Sequence, residues 1–111
     1  MLGVTELTET EDGLLPEPAV SEIELVAVLS ALADPIRLRI VRELAAAGEP
    51  LACAAVPLPV SKSTCTHHYR VLREAGVIRQ QRVGTARMSS LREAELGRRF
   101  PGLLPSVLAG G

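Results

Sequence analysis

A chain of 111 residues with 47% apolar content is long enough for one domain and too short for two with independent cores. Its net charge of −1 conceals a split: residues 1–36 hold eight acids and no Lys or Arg, whereas all twelve basic residues fall in the remainder against five acids. It has neither a run of about eighteen consecutive apolar residues nor a basic stretch leading an apolar one, which argues against a membrane span or secretion signal and for a cytoplasmic protein.

Residues 1–20, with Pro16 and Pro18 and no apolar periodicity, read as a flexible acidic arm, leaving 21–108 as the folded domain. Ser21 is placed to cap a first helix, with Glu22 and Glu24 in its first turn. Ile23, Val26, Ala27, Ser30 and Ala31 form one stripe of that helix, and Leu25, Val28, Leu29 and Leu32 fill the other side. A helix apolar nearly all round must be buried on more than one face, so the second face is expected to meet a partner subunit. With Tyr69 and Phe100 as the only aromatic residues, the core is aliphatic, which at this size also favours oligomerisation.

Asp34 and Pro35 are a cap and a first helical residue. Ile36, Leu38, Ile40, Val41 and Leu44 alternate with Arg37, Arg39, Arg42 and Glu43 in an amphipathic helix that Gly48 stops. Leu51 to Val56 has room only for a short helix before Pro57 and Pro59 make a turn. Ser61 caps the next helix, which runs to Gly76. Cys65, His68, Leu72 and Ala75, joined by Val71, share its apolar face, while Lys62, Ser63, Thr66, His67 and Arg70 share a polar, cationic one. His68 is thereby expected inside, and Tyr69 at an edge. Val77-Ile78 begins a strand, Arg82 to Arg87 makes a turn around Gly84 with an Arg on either side, and Met88 to Leu91 returns. Glu93–Phe100 and Leu103–Leu108 read as short helices around Pro101-Gly102.

This order predicts a mainly α fold with a small β-hairpin, the winged helix-turn-helix, in which one helix enters the major groove and the hairpin lies along phosphate. Residues 61–92 carry seven basic side chains (Lys62, Arg70, Arg73, Arg79, Arg82, Arg87, Arg92) against Glu74, as an anionic partner requires. Ala31-Leu32-Ala33-Asp34-Pro35-Ile36-Arg37-Leu38-Arg39-Ile40-Val41 resembles the opening block of the arsenic-repressor (ArsR/SmtB) type of bacterial regulators. Ser61-Lys62-Ser63-Thr64-Cys65-Thr66-His67-His68-Tyr69-Arg70-Val71-Leu72-Arg73-Glu74-Ala75-Gly76-Val77-Ile78 is similar to that family's recognition helix, and the resemblance covers roughly residues 25–92. It implies a homodimer paired through its first and last helices, bound to an inverted repeat in double-stranded DNA, usually as a repressor. Its DNA-reading positions fall on Lys62, Ser63, Thr66 and His67, with Arg70, Arg82 and Arg87 as phosphate contacts.

Relatives of this type often sense metals, but the residues depart from both familiar ligand sets. The thiolate site needs a Cys-x-Cys, and here Cys53 stands alone; the other needs His on the last helix, and residues 92–111 contain none. Cys65 and His67, two apart on a helix, point away from each other, so a site from Cys53, Cys65, His67 and His68 is disfavoured and the thiols are expected to be reduced, buried and without a disulfide. No metal or other cofactor is therefore expected, and sensing falls to another effector or a partner protein. No carboxylate pair, nucleophile with base or phosphate loop suggests an enzyme. Two alternatives stay open: an interaction module that has given up DNA, and a thiol or metal sensor using Cys53 and Cys65.

Overall fold

In the computed structural model, which describes residues 13–110, the chain reaches its first helix later than the capping signal suggests. Val20–Glu22 forms a single 3-10 turn in which Glu22 Oε1 accepts from Ala19 N–H at 3.0 Å. Ile23 then inserts its side chain into the core, and α1 (Leu25–Leu32) starts from Glu24. Ser21 is thus not a helix cap. Val28, Ala31 and Leu32 of α1 face the core, while Leu25 (44%), Val26 (77%) and Leu29 (44%) are exposed.

The next boundaries follow local chemistry. Asp34 caps α2 (Pro35–Ala47), its Oδ2 accepting from Ile36 N–H at 2.9 Å and Arg37 N–H at 3.1 Å. These bonds hold the Asp34 carboxyl below its ordinary pKa, the Arg37 amide contributing most. Leu51 and Ala52 form a short strand, β1, instead of opening a helix; only Cys53–Ala55 turns, as one 3-10 turn before the Pro57-Leu58-Pro59 stretch. Ser61 caps α3 (Lys62–Ala75) by accepting from Thr64 N–H at 3.2 Å.

Gly76 ends α3 at a φ of +91°, and a side chain there would meet Ile23 at 2.7 Å. Strands β2 (Ile78–Val83) and β3 (Ala86–Leu91) follow, with Gly84 supplying the positive φ of their two-residue turn. The sheet is antiparallel in the order β1-β3-β2, with Leu51 opposite Ser89 and Arg82 opposite Arg87. Helices α4 (Glu93–Arg99) and α5 (Leu103–Ala109) complete the described chain. The core is aliphatic, as composition requires, apart from Tyr69, which is buried in it and not at an edge.

The expectation of an unstructured arm over residues 1–20 needs correcting for its second half; residues 1–12 lie outside the described residues. Leu15 is buried, its N–H donates to Gln80 O at 2.9 Å, and Arg82 N–H donates to Gly13 O at 2.8 Å, so this segment lines the free edge of β2. Glu17 then meets Arg79 at 2.8 Å and Arg92 at 3.6 Å, and both arginines also pair with Glu95. Arg92, only 4% exposed, donates from Nη1 to Pro18 O at 2.9 Å as well. A buried guanidinium needs this degree of pairing, because an isolated charge in the interior is costly.

Two consequences are measurable. Gly76→Ala combines a left-handed backbone with a collision against Ile23 and should lower unfolding free energy by about 1–3 kcal/mol in denaturant titration. The Arg92 guanidinium beside Glu95 holds its carboxyl below the usual range. That stability is present above the unfolded-state pKa and lost as pH falls through the folded one. Between about pH 5 and pH 3 the parent should therefore lose more stability than Glu95→Gln, measured by thermal melts across that range.

Candidate nucleic-acid interface

The sequence of α3 sorts its side chains between two environments. His68, Tyr69, Leu72 and Ala75 are buried against the rest of the domain, with Cys65 and Val71 half-buried beside them. Lys62, Ser63, Thr66, His67 and Arg70 are all exposed. Spacings of three and four residues place them along one side of the helix, and residues 61–73 include no acid to compete for a cation. Thr66 Oγ1 donates to Lys62 O at 3.0 Å, which fixes its rotamer while leaving its methyl and an oxygen lone pair toward solvent.

His67 and His68 are neighbours with different environments, their ring centroids 5.8 Å apart. His68 is 9% exposed, and Arg37 Nη1 lies 3.1 Å from its Nδ1. A guanidinium only donates, so Nδ1 accepts and the ring is a satisfied interior histidine. The same Arg37 donates from Nε to Ala31 O at 2.7 Å, joining the α1–α2 corner to α3. His67 faces solvent.

The hairpin stands beside this helix. Arg82 and Arg87 oppose one another next to its turn, Arg82 exposed and Arg87 half-buried. What sequence reasoning missed is how hairpin and helix are locked together. Gln80 of β2 is 1% exposed; its Oε1 accepts from Arg73 Nη1 at 2.8 Å, and its Nε2 donates to Ser89 Oγ at 3.1 Å and approaches Cys53 Sγ at 3.9 Å. Arg73 also donates from Nε to Pro16 O at 3.1 Å. No local pattern marks Gln80, because its partners come from three other segments.

This bonding revises the basic patch. Of the seven cations in residues 61–92, Arg73, Arg79 and Arg92 are turned to partners elsewhere in the fold, while Lys62 and Arg70 stand exposed on α3 and Arg82 and Arg87 flank the hairpin turn. Cys53 and Cys65 are both free thiols, half-buried, and burial pushes both above the ordinary thiol pKa. Among the described residues no group of three or more His, Cys, Asp or Glu is arranged to hold a metal ion, and no helix is long and apolar enough to cross a membrane.

Comparison with known proteins places this architecture. Residues 32–81 match the helix-turn-helix domain family. The chain is 33% identical over 82 residues to YceK, an uncharacterized HTH-type transcriptional regulator of Bacillus subtilis (strain 168), covering 72% of this chain and 82% of that one. Among solved structures it resembles an ArsR family transcriptional regulator with a TM-score of 0.59 at 23% identity, covering 78% of this chain and 84% of that one. It also resembles the transcriptional repressor BigR from Xylella fastidiosa, with a TM-score of 0.55 at 22% identity over 68% of this chain and 85% of that one. The chain belongs to the helix-turn-helix transcriptional regulators, and its fold is the winged helix-turn-helix solved for ArsR family members.

Proposed function

We propose that this protein is a sequence-specific DNA-binding repressor, acting in the cytoplasm as a homodimer on an inverted-repeat operator, with residues 21–108 and the segment from Gly13 that packs on them as the DNA-binding and dimerisation unit. The observation that carries this reading is the exposed, acid-free side of α3 next to a hairpin tipped with arginines. In winged helix-turn-helix proteins such a helix lies in the major groove with its N-terminal residues at base edges. Ser63, Thr66 and His67 offer the donors and acceptors that read bases, whereas Lys62, Arg70, Arg82 and Arg87 offer the charge that binds phosphate.

The dimer rests on a separate observation. Leu25, Val26 and Leu29 leave α1 with an exposed apolar surface, which a soluble regulator is expected to cover with a second subunit. Val28 belongs to the subunit's own core, so Leu29 and not Val28 is the position that probes association.

Fluorescence anisotropy with DNA from upstream of the gene tests the first part. Lys62→Ala and Arg70→Ala should weaken binding to all sequences and flatten the salt dependence, each lost phosphate contact removing about 0.9 from the log–log slope. His67→Ala should instead erode the preference for the operator, by about 1–3 kcal/mol per base contact. Absence of DNA binding by the parent would leave the interaction-module reading in its place.

Light scattering tests the second part. The parent should be a dimer at micromolar concentration, and Leu29→Glu a folded monomer with unchanged far-ultraviolet circular dichroism. A parent that is monomeric there would refute the assembly.

A further inference from the structure

Between the N-terminal half of α3, the Pro57-Leu58-Pro59 stretch and the hairpin tip lies a cleft of about 820 Å³. It falls within the range typical of small-molecule sites. Its walls are apolar, from Val56, Leu58, Val60 and Ala86 among others, together with both thiols. Among the described residues no carboxylate lines it, and its lining includes two cations, Lys62 and Arg87, neither of which makes an ion pair among those residues.

We infer that this cleft binds a small apolar carboxylate, its hydrocarbon part against Val56, Leu58 and Val60 and its head between Lys62 and Arg87, and that occupancy opposes DNA binding. The chemistry follows from the lining. Apolar walls select an apolar body, and two cations with no carboxylate beside them among the described lining select one negative charge. Thiols kept protonated by burial add soft, uncharged surface and not a nucleophile. The antagonism rests on the function proposed above, since Lys62, Thr66 and Arg87 line the cleft and belong to the face assigned to DNA. A carboxylate that holds the two cations withdraws them from phosphate. The small-molecule site therefore takes the place of a sensing partner protein.

The test separates the two claims. With reductant present, decanoate below its micelle-forming concentration is titrated into the full-length protein without DNA, followed by calorimetry and by amide shifts at Ala52, Ala54 and Ala86. Saturable binding at one site per subunit is expected, about tenfold weaker for uncharged decanol and for the cleft-filling variant Ala54→Phe. Ala54 is exposed, so this variant should fold, and Cys65→Leu provides a second filling change from the helix side. No saturable binding of decanoate, equal binding of decanol, or unaltered binding by both variants would overturn the site. Decanoate should also lower operator affinity of the parent but not of Ala54→Phe. Binding of decanoate with no change in operator affinity would overturn the antagonism alone, whereas a parent that binds decanoate but no DNA would leave the site standing and refute the DNA-binding reading.

Discussion

A helix and a hairpin serve one extended ligand only when their relative position is fixed, and here a single buried amide does much of the fixing. Gln80 sits at the base of the hairpin, and its side chain joins Arg73 of α3 to Ser89 of β3. An amide taken out of water without partners costs more than its hydrogen bonds return, so the site tolerates few other arrangements. Arg73 in turn reaches Pro16 O, so the segment before the first helix is tied to the same point. The exposed side of α3 and the arginines of the turn therefore project from one rigid unit.

The same logic explains why charge along the chain overstates charge on the surface. Arg79 and Arg92 lie among the basic residues in sequence, yet Glu17 and Glu95 converge on them in space. The acidic leading segment and the basic remainder are thus partly one neutral network, and Lys62 and Arg70 of α3 are among the cations outside it. Counting charges over a span gave the right sign for the surface and the wrong membership. A guanidinium's partners lie as far as 76 residues away, as for Arg99 and Ile23, beyond any local pattern.

Where the sequence reading succeeded, the determinants were local. Asp34 with Pro35, Ser61 three residues before Thr64, and Gly76 after the last turn each act through groups within a few residues, and the helices begin and end accordingly. The exposed set Lys62, Ser63, Thr66, His67 and Arg70 was legible for the same reason, since helical spacing alone separates it from His68 and Leu72. The failures are non-local. Ser21 has capping chemistry, but the burial of Ile23 beneath Gly76 delays the helix. Leu51-Ala52 becomes a strand because β3 offers it an edge, and Gly13–Leu15 is held by the far edge of β2. Tyr69, expected at an edge of α3 beside His67, is instead buried in the core, where its surroundings come from other segments.

The segment ahead of α3 links these observations to regulation. In a helix-turn-helix the helix preceding the reading helix normally braces it, but here Cys53–Ala55 is a single 3-10 turn and the two prolines that follow cannot donate the backbone bonds that would extend it. With less backbone filling the corner, the space between the Pro57-Leu58-Pro59 stretch, α3 and the hairpin stays open as the 820 Å³ cleft. The cleft therefore opens at the N-terminal end of the face proposed to read DNA, where Lys62 and Thr66 belong to both surfaces. Any ligand that gains affinity there from those side chains must lose it when DNA engages them, and DNA must weaken the ligand by the same factor, because coupling between two binding equilibria is reciprocal. Local competition of this kind needs no movement of the proposed dimer interface, so on this reading an effector acting through the cleft would leave subunit association unchanged while it displaced DNA.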